Sequence, residues 1–366
     1  VYRSSLAAAG AALREHDAVA AGKHLEGAPE ALRGWEWGYL AAQLDRSVAA
    51  ATAAIDAQIV AELSSYNECT NVWFHASGDI VQSIFAVSST GFREHHVRAW
   101  KTDTMEPVSS WTSPDGIWPC PSADGTRVFV SHDDEPPQVL DALSGEVVGR
   151  FDPAYLPRWS KLKMIPRGMD SSFSWRRFAE PLGLDADAAI PRCEFSEDGS
   201  RAVIAVNGAL KHVSTAFPGE AIILDEGEPY VRRPAMGISE TPVWGISSDG
   251  RYVAEGGLDR SLRLYDTQDG GRLVWTVEAA HGDWVNVVAI SADARLIATG
   301  GNDRLLKIWD LRTGALQRQY VGSRLGIKGI AFHPDQRRVA TTDGVEVRLW
   351  PIDADPAQVP IEGLRH

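Results

Sequence analysis

The chain has 366 residues, with 36 Lys+Arg against 49 Asp+Glu, and a formal net charge of −13. Charged residues make up 23% and hydrophobic residues 44%, ordinary values for a globular chain. The acidic balance argues against a nucleic-acid footprint and against a polybasic membrane anchor, since both need a basic surface.

The longest stretch without Asp, Glu, Lys or Arg is Ile80–Phe92, 13 residues. That is short of the ~20 apolar residues of a transmembrane helix, so no membrane insertion is expected. Val1-Tyr2-Arg3 opens the chain with neither an initiator Met nor a secretory signal. The expectation is a piece of a longer or processed protein, with a cytoplasmic setting favoured. Cys69, Cys120 and Cys193 are separated by 51 and 73 residues. An odd count at such spacings fits neither a disulfide framework nor a zinc site. Free or buried thiols are expected, with no cofactor and no metal.

Residues 1–46 read as helical. Ala is dense, Pro occurs once at Pro29, and apolar positions recur at helical spacing. One helix is expected over Tyr2–Glu15, a second over Ala18–Leu25, and a third over Glu30–Leu44. This amounts to one and a half helical hairpins, similar to a tetratricopeptide repeat. It is too small to bury a core alone and should dock on the rest of the chain. In the third helix Trp35 and Tyr39 are i,i+4 neighbours while Trp37 faces elsewhere. Exposed Trp on both faces would be a liability, so the C-terminal bulk of the protein is expected to cover them.

From about Ser47 to residue 366 the texture changes. β-branched and aromatic residues rise, and Gly, Asp and Ser punctuate the chain. Turn signals recur at His75–Gly78, Ser122–Gly125, Ser196–Gly199, Ser247–Gly250, Ser291–Ala294 and His333–Gln336. Apolar runs flank each, as in a β-hairpin. An alternating strand then ends in an aromatic residue or its substitute: Trp100, Leu140, Leu224, Tyr265, Trp309 and Trp350. Successive differences are 40, 84, 41, 44 and 41 residues. The 84 is twice 42, so one unit is missing from view.

The run His281-Gly-Asp … Asn302-Asp303-Arg-Leu-Leu-Lys-Ile-Trp309-Asp310 resembles the WD-repeat β-propeller family, whose period is ~40–45 residues with four strands per blade. The resemblance covers about Cys69–Trp350. It implies an all-β propeller over residues 47–366, preceded by the small α-helical segment. A degenerate blade in 152–189 would make seven four-stranded blades. The alternative is six blades with an insertion there. Ile59–Leu63 is then expected as the outer strand of the last blade, closing the ring.

His281, Thr299 and Asp303 could be mistaken for a nucleophilic triad. The family resemblance instead implies a structural tetrad of His281, Thr299, Asp303 and Trp309. The neighbouring units keep parts of it: Glu255, Asp259 and Tyr265 in one, Thr341, Asp343 and Trp350 in the other. The sequence has no Gly-x-Ser-x-Gly, no phosphate loop, no Gly-x-Gly-x-x-Gly and no His-Glu-x-x-His. His95-His96 reads as a surface loop pair. No catalytic residue is expected.

The chain holds 13 Trp. Trp73, Trp118, Trp244 and Trp284 lie on or just before first strands. Trp244 and Trp284, with Arg260, Arg304 and Lys328, have a typical hot-spot composition and are the candidate contact residues. Leu32-Arg-Gly-Trp-Glu-Trp-Gly-Tyr-Leu40 resembles the helical stretch that precedes WD-repeat domains in large bacterial serine/threonine kinases and related signalling proteins. That resemblance implies a catalytic or signalling module elsewhere in a parent protein. The expected function is a non-catalytic platform for a protein or peptide partner. The alternatives are a small-molecule or metal sensor, and a propeller-type hydrolase or lyase with a site at the channel mouth.

Overall fold

The computed structural model describes residues 2–15, 18–41, 43–44, 49–52, 71–89, 92–113, 120–121, 125–130, 138–150, 193–195, 201–206, 209–214, 221–225 and 243–352. Its first part is helical: α1 (Tyr2–Arg14), α2 (Ala18–Glu26), a 3-10 turn (Glu30–Leu32) and α3 (Trp35–Ala41). Ala9, Ala12, Ala21, Leu25 and Ala28 are buried there. Small residues let short helices approach closely, but they bury little apolar area each.

The helix expected over Glu30–Leu44 is broken in two. Arg33 is extended, at φ −67° and ψ 100°. The Gly34 amide donates to the Tyr2 hydroxyl at 3.1 Å. The Arg33 guanidinium donates to the carbonyls of Glu26 and Ala28 at 3.1 and 3.2 Å. A cation thereby satisfies orphan carbonyls just past the end of α2. These tertiary bonds outweigh the helical periodicity of the segment.

The remainder is all-β and propeller-like. Among the described residues there are six four-stranded antiparallel sheets. Blade I holds β2 (Asn71–Phe74), β3 (Ile80–Ser89), β4 (Phe92–Lys101) and β5 (Pro107–Ser113). Blade II holds β6 (Cys120–Pro121), β7 (Arg127–Val130), β8 (Gln138–Asp141) and β9 (Val147–Arg150). Blade III holds β10 (Cys193–Phe195), β11 (Arg201–Val206), β12 (Ala209–Ser214) and β13 (Ala221–Asp225). Blade IV holds β14 (Val243–Ile246), β15 (Tyr252–Gly256), β16 (Leu262–Asp266) and β17 (Arg272–Val277). Blade V holds β18 (Val285–Ile290), β19 (Leu296–Gly301), β20 (Leu305–Asp310) and β21 (Leu316–Val321). Blade VI holds β22 (Gly329–Phe332), β23 (Arg338–Thr342) and β24 (Glu346–Pro351), with β1 (Ala49–Thr52) as its fourth strand. Residues 152–189, expected as a degenerate blade or an insertion between blades II and III, lie outside the described residues.

β1 pairs antiparallel with β24, from Ala49↔Leu349 to Thr52↔Glu346. The outer strand expected at Ile59–Leu63 is therefore Ala49–Thr52, and residues 59–63 lie outside the described residues. The segment is Ala-Ala-Ala-Thr, with neither polar alternation nor a bulky β-former, so periodicity passes over it.

Four hairpin turns follow one geometry. The fourth residue donates its amide to the first residue's carbonyl at 2.8–2.9 Å in His75–Gly78, Ser247–Gly250, Ser291–Ala294 and His333–Gln336. That fourth residue is left-handed in each, with φ 76°, 70°, 52° and 60°. Gly78 and Gly250 adopt this region without steric penalty; Ala294 and Gln336 place a side chain in a region L-residues use sparingly.

The core lies between blades. Val72, Phe74, Val81 and Trp100 of blade I pack with Ala331, Ala340, Val347 and Leu349 of blade VI. Leu306, Ile308 and Tyr320 of blade V pack with Val339 and Trp350 of blade VI. Val285, Val288 and Trp309 of blade V pack with Ala254, Leu262 and Leu264 of blade IV. The first and last blades are thus in direct contact. Among the described residues no helix is long and apolar enough to cross a membrane.

Candidate functional site

In blade V four side chains form one hydrogen-bonded chain. The Trp309 indole N–H donates to Thr299 Oγ1 at 2.8 Å. Thr299 Oγ1 lies 2.7 Å from His281 Nε2. His281 Nδ1 lies 2.9 and 3.1 Å from the two carboxylate oxygens of Asp303. A carboxylate only accepts, which places the imidazole proton on Nδ1 and makes Nε2 the acceptor of the threonine proton. Each donor then has one acceptor, in a buried setting where an unpaired group is costly.

Asp303 also accepts from the amides of Gly282 at 2.8 Å and Leu305 at 3.2 Å. Burial pushes its carboxyl pKa up. The hydrogen bond from His281 and these amides outweigh burial and hold the pKa below the ordinary aspartate value. Asp303 so joins the loop entering blade V to the turn that starts β20. Thr299 is 0% exposed, and its hydroxyl is occupied on both sides. The arrangement leaves no solvent-facing nucleophile at Thr299.

The neighbouring blades carry variants. In blade VI the Trp350 indole donates to Thr341 Oγ1 at 2.8 Å. Asp343 accepts from the amides of Arg324 and Leu325 at 3.0 and 3.3 Å, and from those of Val345 and Glu346, both at 2.9 Å. One carboxylate thus clamps loop to turn directly, where Asp303 also uses an imidazole. In blade IV the Tyr265 hydroxyl donates to Glu255 at 2.8 Å. Asp259 accepts from the Ser261 hydroxyl at 2.7 Å and pairs with Arg263 at 2.5 Å. Blade VI also buries Glu346 between Arg348 and Arg324, the latter at 3.0 Å. Burial raises the Glu346 carboxyl pKa, with Arg324 opposing.

The candidate contact residues do not all meet. Trp244 is 6% exposed. It lies within β14, paired in register with Glu255, and its ring is buried rather than presented to a partner. Trp284 differs because it precedes its strand. Its carbonyl accepts from the Asn302 amide at 2.8 Å, and the side chain is half-buried in the loop.

Arg260, Trp284, Arg304 and Lys328 belong to one end of blades IV, V and VI. The Arg260 carbonyl accepts from the His281 amide at 3.3 Å, and the Gly301 carbonyl from the Ile327 amide at 3.1 Å. Arg260 is exposed and left-handed at φ 66°. Arg304, left-handed at φ 67°, donates to the carbonyl of Glu15 at 3.2 Å. That bond ties the helical segment to blade V. Lys328 is half-buried, and burial lowers its amine pKa against the opposing charge of Asp343.

The helical contacts differ from expectation. Trp37 donates its indole N–H to the Leu25 carbonyl at 2.9 Å, and Arg33 lies 4.9 Å over its ring. It is packed within the helical segment, not on the propeller. Trp35 and Tyr39 are exposed. The third helix is too short and too tightly held by α2 to bury both of its faces. His95 and His96 lie within β4, not in a loop, and His96 Nδ1 is 3.0 Å from Thr112 Oγ1. Trp118 lies outside the described residues. Among the described residues no group of three or more His, Cys, Asp or Glu could hold a metal ion.

Sequence reading missed one device. An outer-strand aromatic in one blade donates to a carbonyl at the end of the third strand of the next. Trp111 does so to Ala142 at 3.1 Å, Trp275 to Leu311 at 2.9 Å, and Tyr320 to Pro351. The matching turn glycines leave room: a Cβ on Gly145 would meet the Trp111 ring at 2.7 Å, and on Gly314 the Trp275 ring at 3.0 Å. The signal present in the sequence was an aromatic in the fourth strand and a Ser-Gly or Thr-Gly turn one unit later.

Residues 271–310, most of blade V with the last strand of blade IV, match the family described as WD domain, G-beta repeat. No curated protein sequence matches the chain. Among solved structures the chain is similar to Sqt1 from Chaetomium thermophilum, with TM-score 0.53 and 13% identity over 84% of this chain and 99% of that one. It is also similar to the Cps50 (Swd1) beta-propeller domain of Myceliophteria thermophila, with TM-score 0.49 and 17% identity over 77% of this chain and 96% of that one. The chain therefore has a propeller-like fold of four-stranded sheets, in which residues 271–310 match a WD repeat.

Proposed function

We propose that the chain is a non-catalytic platform for a protein or peptide partner, bound at the loop end of blades IV to VI. One observation carries this reading. A half-buried Trp284 shares that end with the cations Arg260, Arg304 and Lys328, on loops and turns held to one another by backbone hydrogen bonds. Preorganised aromatic and basic groups on a rigid scaffold are what interface hot spots consist of. The partner is a protein or peptide carrying carboxylates beside an apolar anchor. We further propose that residues 152–189 supply a seventh blade, that residues 1–46 form a helical unit docked on the propeller of 47–366, and that the chain is the recognition part of a larger cytoplasmic bacterial signalling protein. The repeat spacing supports the first of these, the Arg304–Glu15 bond the second, and the Leu32–Leu40 resemblance the third.

Affinity capture tests the platform reading, with the wild-type chain beside a Trp284→Ala, Arg260→Glu double variant. Arg304 is left intact because it holds the helical segment. The variant's melting curve must match the wild type first. A protein retained by the wild type and lost by the variant is the expected result. Equal retention would move the site off this end of the molecule.

A further inference from the structure

The α3 helix is apolar on two opposite sides. Its inner side carries Trp37, bonded to Leu25, and Leu40, against which a Cβ on Gly10 would rest at 4.0 Å. Its outer side carries Trp35 and Tyr39, one helical turn apart. Leu32 ends the preceding 3-10 turn. Trp35 is 77% exposed, Tyr39 64% and Leu32 57%. Elsewhere in the described chain the large exposed apolar residues are Val or Leu. These two exposed aromatics are therefore unusual for the molecule, and they adjoin one another.

The acidic residues that flank them in the chain are Glu30 and Glu36. Glu30 and Glu36 are exposed, and neither makes an ion pair among the described residues. The cation between them, Arg33, is turned toward the carbonyls of Glu26 and Ala28 and stacks on Trp37. The chain as a whole carries −13. A second copy would bring Glu30 and Glu36 against themselves in a two-fold contact. A basic partner would not.

We propose that Leu32, Trp35 and Tyr39 form a second docking surface, separate from the loop end, that takes a basic amphipathic helix of a partner protein. Its apolar stripe would cover the Trp35 and Tyr39 rings, and its Lys or Arg flanks would meet Glu30 and Glu36. Amphipathic faces paired this way are a recurrent recognition mode, with aromatic anchors carrying most of the affinity and the charges setting orientation and choice of partner.

The test uses the full chain and two fluorescein-labelled 18-residue helical peptides. Both carry the same Leu stripe; one has Lys on its flanks and the other Glu. Fluorescence anisotropy at low salt reads binding. The Lys peptide is expected to bind saturably and at least tenfold more tightly than the Glu peptide. Trp35→Ala and Tyr39→Ala should each weaken it at least tenfold, and Glu30→Lys with Glu36→Lys should reverse the preference. Trp284→Ala should leave it unchanged. Each variant's melting curve is matched to the wild type before binding is compared. Equal binding of the two peptides, no binding of the Lys peptide, or insensitivity to Trp35→Ala would overturn the proposal. So would a dimer in sedimentation velocity that Trp35→Ala abolishes.

Discussion

His333 Nε2 lies 2.8 Å from the carbonyl oxygen of Gly78, although 255 residues separate them in the chain. The contact joins the last blade to the first. The Phe74 ring stands edge-on to the imidazole at 4.7 Å, and Asp335 faces the other ring nitrogen at 2.7 Å. Thr102 Oγ1 donates to the same Gly78 carbonyl at 3.0 Å. His333→Leu removes the imidazole from the seam while Thr102 still donates to that carbonyl, and the loss should be modest, about 1 kcal/mol. Thermal melting should show a drop of about 2 °C. An unchanged melting temperature would mean the seam does not depend on the imidazole.

Ring closure can be separated from the helical segment by two truncations. Removing residues 1–44 deletes the helices and keeps β1. Removing residues 1–52 also takes β1 and leaves β24 as an open edge. The shorter truncation should remain folded and monodisperse in size-exclusion chromatography. The longer should aggregate, because an unpaired strand edge templates pairing with other chains. Similar behaviour of the two would show that β1 does not protect the edge.

His281 links Asp303 to Thr299 through both ring nitrogens. His281→Ala leaves the buried Thr299 hydroxyl proton without its acceptor and takes one of three donors from the mostly buried Asp303 carboxylate. The expected loss is on the order of 2–4 kcal/mol, larger than that of His333→Leu. Gly301→Ala should act at the same place, since a Cβ there would collide with the Asp303 carboxylate and the His281 ring. Denaturant unfolding of the two single variants and the double variant checks this. Strictly additive effects would argue that they do not share one network.

The Asp303 carboxyl pKa sits below its ordinary value because His281 and two backbone amides outweigh burial. A folded value below the unfolded one means that its contribution is complete above about pH 3.9 and is lost as pH falls through the folded value. Asp303→Asn should remove that part of the acid dependence. Stability of the wild type should fall more steeply than that of the variant on going below about pH 4. Parallel curves would remove Asp303 from the acid response.

The inter-blade aromatics give a graded series. Trp275→Phe removes the donor to the Leu311 carbonyl and keeps most of the ring volume. The cost should be about 1 kcal/mol, and somewhat less for Trp111→Phe, because Gln82 also donates to the Ala142 carbonyl at 2.9 Å. Trp284→Phe should cost less than either, since its indole nitrogen makes no described hydrogen bond. Urea midpoints with unchanged slopes would report this order.

Much of blade V could be read from the chain. His281, Thr299, Asp303 and Trp309 stood at spacings that a four-stranded unit brings together, because hairpin register converts sequence separation into proximity. The turn at Ser291–Ala294 was legible for the same local reason. Blade II was harder, since Gln138–Asp141 has no terminal aromatic to mark it.

Local patterning determined the secondary structure: helical spacing over the Ala-rich start, and alternation with polar turns thereafter. These depend on neighbours within a few residues, and the chain states them directly. Tertiary packing decided which strand closes the ring, which Trp is buried and where the helical segment rests. Ala49–Thr52 is a run of small residues without strand-like alternation, and it joins β24 in antiparallel register. Trp244 and Trp284 are alike in the sequence, but one lies in a strand between sheets and the other in a loop. Trp37 is drawn inward by Leu25 while Trp35, two residues away, is left outside. Each of these outcomes is set by contacts between residues far apart in the chain, which no local pattern encodes.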